Sequence, residues 1–169
     1  MKGITKSFSG VAALKNAALD LKAGEVVALM GENGAGKSTL MKILTGIYSK
    51  DSGEIQYMGQ EVCFKGPAES EEAGISIVHQ ELNMMNDLTV AQNLFIGREE
   101  MNGFLIDDKK MNEKARELFK VLKIDINPAE KIGNLTVGKQ QMVEIANAIS
   151  SKAKVIIFDE PTAALTDSE

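Results

Sequence analysis

One stretch constrains this chain more than any other: Gly31-Glu32-Asn33-Gly34-Ala35-Gly36-Lys37-Ser38, with Thr39 directly after it. A glycine, four residues, a second glycine, a lysine and a hydroxyl make the phosphate-binding loop pattern. The glycines let successive backbone N–H groups converge on phosphate oxygens, and the helix that follows adds its positive end. At this spacing Lys37 reaches the β and γ phosphates, while Ser38 offers its hydroxyl to Mg2+. The flanks suit the motif. Val26-Val27-Ala28-Leu29-Met30 reads as a fully buried strand entering the turn. After it Leu40, Ile43, Leu44 and Ile47 recur at helical spacing, and Gly46 with Ser49 signals the stop.

A second acidic feature belongs with the first. Lys154-Val155-Ile156-Ile157-Phe158 reads as another buried strand, and Asp159 and Glu160 follow it. A carboxylate at such a strand end can hold Mg2+ directly or through water, which assigns Asp159 to the metal. Glu160 beside it is suited to polarise an attacking water as general base. Taken alone, two acidic residues before Pro161 are an ordinary exposed turn; paired with the phosphate loop they become catalytic candidates.

Between these motifs the chain alternates and then changes character. Glu54 to Met58 and Ile75 to Val78 read as strands, with a short helix over Pro67 to Gly74 that starts on proline and ends on glycine. From Glu81 to Ser150 helices dominate: a short one over Thr89 to Ile96, a face of Ala115, Leu118, Phe119 and Leu122, and another of Met142, Ile145, Ala146 and Ile149. The expected architecture is an α/β P-loop NTPase core with a helical subdomain insert. Residues 1–80 and 151–169 form the core, truncated at its C-terminal end, and residues 81–150 form the insert. Thr166-Asp167-Ser168-Glu169 has the form of a capping box that announces a further helix.

Composition excludes some partners. A net charge of -5 without a basic run argues against nucleic acid, which wants clustered Lys and Arg. Cys63 is the only cysteine, so no internal disulfide forms, and it is expected as a small buried residue in a strand. The longest apolar runs are strand-length and cannot span a bilayer, so a transport role would need another chain to supply the channel.

The order of motifs carries a family resemblance. The phosphate loop, Gln80 after a strand, Leu135-Thr136-Val137-Gly138-Lys139-Gln140-Gln141 opening a helix, and Asp159-Glu160-Pro161-Thr162 together resemble the nucleotide-binding domain of an ABC transporter. Within the family the chain is similar to the first ATPase half of bacterial monosaccharide importers of the ribose, galactose and xylose type. Val78-His79-Gln80-Glu81-Leu82-Asn83, Asn93-Leu94-Phe95-Ile96-Gly97-Arg98-Glu99 and Ala163-Ala164-Leu165-Thr166 carry that narrower likeness.

The resemblance implies roles residue by residue. Phe8 would stack on adenine, and Gln80 would touch Mg2+ and the attacking water while coupling the site to a membrane partner. His79 is a structural neighbour. Asn83 to Gly97 would face the membrane-spanning subunit. Leu135, Thr136, Val137, Gly138, Lys139 and Gln141 would bind the ATP of an opposing domain in a head-to-tail dimer. Val137 stands where many relatives carry glycine and Thr166 where many carry Asp, so the two ATP sites of such a dimer are expected to be unequal. The switch histidine of the family lies beyond this chain, so the fragment is expected to bind MgATP and hydrolyse it poorly.

The implied function is ATP hydrolysis that drives uptake of a monosaccharide such as ribose. The implied setting is the cytoplasmic face of the bacterial inner membrane. The implied partners are permease subunits, a second ATPase domain in the same full-length chain and, indirectly, a periplasmic sugar-binding protein. A soluble ABC-type ATPase acting on nucleic acid or ribosomes and a nucleotide-binding scaffold remain open alternatives at this stage.

Overall fold

A computed structural model describes residues 1–78, 84–151 and 153–159 of the chain. It separates into two compact units, Met1–Ile75 and Ser76–Glu169.

The first unit opens on an antiparallel hairpin. Strand β1 (Lys2–Phe8) pairs with β2 (Val11–Ala17) through the two-residue turn Ser9-Gly10, and β3 (Ser52–Glu54) joins the other edge of β1. The sheet order is β2-β1-β3, with irregular register along both ladders. Ile4 on β1 and Leu14 on β2 are buried. Helix α1 (Lys37–Leu44) contributes Leu40, Met41 and Ile43 to the same interior, because these positions recur on one face of a 3.6-residue period. Thr45, also buried, returns its hydroxyl to the Met41 carbonyl at 3.1 Å and so hides no unpaired donor. Ile55 marks the point where the chain leaves β3 for the small hairpin of β4 (Gln56–Tyr57) and β5 (Gln60–Glu61). Helix α2 (Pro67–Glu72) follows with proline at its start, as its sequence requires.

Two expectations for this unit are corrected. Val26 to Met30 lies in no strand, and Val26 and Met30 are 97% and 92% exposed. A buried strand draws its hydrogen bonds and its cover from neighbours. The strands of this unit are committed to their own antiparallel ladders, so an apolar run alone could not supply them. Cys63 is likewise exposed and falls in the loop after β5 instead of in a strand. Pairing with β4 ends at Glu61, and by strand alternation Cys63, two residues on, would share the exposed side of Glu61.

In the second unit β6 (Ile75–Val78) pairs with β9 (Val155–Phe158). The rest is mostly helical: α3 (Val90–Phe95), α4 (Asp108–Leu122) and α5 (Val137–Ser150), with a 3-10 turn at Ile132–Asn134. Val90, Ala91 and Leu94 of α3 pack with Met111, Ala115 and Phe119 of α4 and with Val143 and Ala146 of α5. Burying a side chain of the size of Val, Leu or Phe stabilises by about 1.5–3 kcal/mol, so this cluster is what holds the three helices together. The caps follow from sequence. Thr89 and Gln92 form a reciprocal capping box on α3, Asp107 caps α4, and Thr136 caps α5. The sequence pattern missed one feature here, the hairpin of β7 (Met101–Asn102) and β8 (Leu105–Ile106), whose strands are too short to show a period. Among the described residues no helix is long and apolar enough to cross a membrane.

Candidate nucleotide site

The phosphate loop runs from Gly31 straight into α1. Ala35 N–H closes a turn on the Glu32 carbonyl at 3.1 Å. Gly36 is the N-cap residue, at φ 89°, and leads into the helix with no side-chain cap, so the positive end of α1 opens directly onto the loop. A Cβ on Gly36 would sit 2.6 Å from Leu14 Cδ2 and 2.9 Å from the Ala13 carbonyl oxygen. The loop is therefore seated directly on β2, and only glycine permits that approach. Gly34, at φ 84°, meets nothing within 4 Å, so its glycine serves backbone conformation alone.

Lys37 bends back over the loop. Its ammonium donates to the carbonyls of Gly31 at 2.7 Å and Glu32 at 3.1 Å. A cation held on loop carbonyls beside the N-terminal end of a helix is arranged to receive an anion, which can replace or join those carbonyls as acceptor. Glu32 and Asn33 are exposed on the loop, while Ser38 and Thr39, half-buried, begin the helix.

Phe8 closes β1 on the hairpin that seats the loop: Phe8 pairs with Val11, and Lys6 pairs with Leu14, which touches Gly36. The Phe8 ring is 40% exposed. Tyr48, just past α1, meets it edge-on with centroids 5.1 Å apart and planes at 70°. Asp51 accepts from the Lys6 ammonium at 3.0 Å and from the Ser7 N–H at 2.7 Å. Those two donors, the lysine first, hold its carboxyl below the usual carboxylate range. Sequence reading passed over Tyr48 and Asp51, since neither lies in the phosphate loop and only the fold returns them to β1. A cavity of about 370 Å3, lined by Ile43, Ile47, Tyr48, Ile55, Cys63 and Phe64 among others, holds none of the expected site residues.

The remaining site residues belong to the second unit. Asp159 follows β9, and its N–H donates to the Val78 carbonyl at 3.0 Å, so the ends of β6 and β9 are level. Gln80 and Glu160, each two residues past a strand end in the sequence, lie with His79, Thr162 and Thr166 outside the described residues. Among the described residues no cluster of three or more His, Cys, Asp or Glu side chains forms a metal site by itself.

The signature segment enters α5. Thr136 accepts the Lys139 N–H at 3.4 Å as N-cap. Val137 and Lys139 are exposed at the helix entrance, Gly138 is buried, and Leu135 packs on the helical core. Gln141 is turned inward, 2% exposed, and its Nε2 has no hydrogen-bond partner among the described residues. Gln140 does work that the sequence did not reveal: its amide donates to the carbonyls of Ile132 at 3.0 Å and Leu135 at 3.2 Å, fixing the loop before the helix. A glutamine in a run of two carries no sign of which one faces the loop.

A phosphate loop capping a helix, an acidic strand end and a helical subdomain with its own entrance segment define an ATP-binding cassette, a P-loop α/β fold. The chain belongs to the ABC transporter family, whose family pattern matches residues 14–163. It is 54% identical over its whole length to a putative ribose/galactose/methyl galactoside import ATP-binding protein of Burkholderia ambifaria, and it spans 33% of that relative's length. It also resembles the crystal structure of a nucleotide-free ATP-binding cassette from an ABC transporter, with a TM-score of 0.83 and 30% identity over 98% of this chain and 69% of the other. A dimeric ATP-binding cassette in a post-hydrolysis state, bound to ADP and Pi, gives a TM-score of 0.81 and 28% identity over 99% of this chain and 75% of the other.

Proposed function

We propose that this chain is the first ATP-binding segment of a bacterial sugar importer, coupling ATP hydrolysis to uptake of a monosaccharide such as ribose. The observation that carries the reading is the loop at Gly31–Ser38, seated on β2 by Gly36 with the Lys37 ammonium folded over it. Lys37 and the N–H groups entering α1 bind the phosphates, and Phe8 offers its exposed ring to the base. The donor set fits a magnesium ion, since the Ser38 hydroxyl and the Asp159 carboxylate are hard oxygen ligands, with Gln80 as a third. Bound Mg2+ supplies neutralisation of charge on the β and γ phosphates. Glu160 takes the proton of the attacking water, which Gln80 orients.

Residues 1–80 with 151–169 act as the nucleotide-binding core, and residues 81–150 act as the signature subdomain. Thr136, Val137, Gly138 and Lys139 address the ATP of an opposing domain, which the exposed entrance of α5 supports. Gln141 contributes by packing. The similarity to a dimeric cassette supports the paired arrangement, and a relative about three times as long supports a second ATPase domain in the same full-length protein. Permease subunits receive the segment Asn83 to Gly97 at the cytoplasmic face of the inner membrane, where a sugar-loaded periplasmic binding protein signals through them.

Replacing Lys37 with Ala removes charge-assisted hydrogen bonds worth about 1.5–3 kcal/mol, so ATP affinity should fall by about 10- to 100-fold. Equilibrium titration with a fluorescent ATP analogue measures this. An unchanged affinity would remove the phosphate loop from the mechanism.

A further inference from the structure

Phe8 is 40% exposed and is bordered by two side chains, Lys6 and Tyr48. Lys6 and Phe8, two residues apart on β1, share one side of the strand, and the Lys6 ammonium lies 5.5 Å from the ring centroid. Asp51 fixes that ammonium and the Ser7 N–H together, and its own N–H donates to the Thr5 carbonyl at 2.9 Å. Three successive residues of β1 are thus tied to one aspartate.

Tyr48 is seated with equal care. Its N–H donates to the Lys42 carbonyl at 3.0 Å, and the Lys42 ammonium lies 5.7 Å from its ring centroid. Lys42 belongs to the last turn of α1. The helix that carries the phosphate loop at its entrance therefore carries, at its exit, the aromatic side chain that meets the Phe8 ring.

Resting on the nucleotide reading above, we propose that Tyr48 and the Lys6–Asp51 pair are positioning residues that hold Phe8 as the platform for a purine base. Lys6 takes one face of the ring and Tyr48 meets it edge-on, which leaves exposed ring surface for the base and fixes its angle. The phosphate loop at the entrance of α1 and the side chain that sets the platform, just past its exit, are then linked through one helix. Losing the edge-on contact frees the ring, and a platform that must be set on binding stacks less tightly than one set beforehand.

The test uses the intact protein and two probes, MgATP and inorganic tripolyphosphate, which lacks base and ribose. Tyr48→Leu should weaken MgATP binding by about three- to tenfold while leaving tripolyphosphate binding within about twofold. Tyr48→Phe keeps the ring and should restore the wild-type ratio. Asp51→Asn, which releases Lys6, should shift the ratio in the same direction and serves as an independent variant if Tyr48→Leu does not fold. Equal loss for both probes, or none for either, in Tyr48→Leu and Asp51→Asn alike would overturn the proposal while leaving the phosphate site intact. A wild-type protein that binds neither probe would overturn the nucleotide reading beneath it.

Discussion

At the scale of single residues, Gly36 and Gly34 look equivalent in the motif and are not equivalent in space. Both have positive φ, which costs an L side chain about 1–2 kcal/mol. Only Gly36 also meets Leu14 and the Ala13 carbonyl at closer than 3.0 Å, an overlap that adds about 1–3 kcal/mol. Gly36→Ala should therefore destabilise by about 2–5 kcal/mol and Gly34→Ala by about 1–2 kcal/mol, both read from denaturant midpoints. If the two substitutions cost the same, the seat on β2 contributes nothing. The phosphate motif was legible residue by residue, since its chemistry is local. The contact that separates its glycines was not, because Leu14 stands far from Gly36 in the chain.

At the scale of elements, the β7–β8 hairpin is tied to α4 by charge. Glu100 pairs with Lys110 at 2.6 Å and also with Lys114, one turn further along the helix. Hydrogen bonds from Lys110 first, then Lys114, hold the Glu100 carboxyl below the ordinary glutamate range, and the same contact raises Lys110. The sign follows directly. A depressed carboxyl contributes its pairing above the ordinary value and loses it as pH falls through the lowered one. Carbon-detected NMR titration should find the Glu100 midpoint below that of an unpaired glutamate, and Lys110→Ala with Lys114→Ala should return it upward. A midpoint unmoved by the double substitution would show that the lysines do not set it. Helices α4 and α5 were readable from their apolar periods, and α3 as a short helix near Thr89. This hairpin was not, because strands of two residues have no period to read.

At the scale of the whole molecule, the chain is one part of a shared machine in the proposed function. On that reading Glu160→Gln would remove the general base and leave binding intact, so MgATP should hold paired ATPase domains closed for longer. In the intact transporter, ATP turnover by this variant should fall by at least about 100-fold at this site while MgATP still binds. Reconstitution with permease subunits, with and without a sugar-loaded binding protein, checks both halves of the claim. Turnover equal to wild type would take Glu160 out of the catalytic role, and no response to the loaded binding protein would argue for the scaffold or soluble-ATPase alternatives.

The sequence by itself determined the family, the phosphate loop and the helices of the second unit. Each of these is written in local spacing: an order of motifs, a loop of eight residues, a 3.6-residue period. Only the tertiary structure decided which side chains surround Phe8, that Gly36 rests on β2, and that Gln140 rather than Gln141 fixes the loop before α5. It also decided against a strand at Val26–Met30, where the apolar run was clear and the pairing partners were not in the run. Burial and pairing are properties of neighbours brought from elsewhere in the chain, and the glycine-rich loop with which the sequence began acquired its seat on β2 in that way.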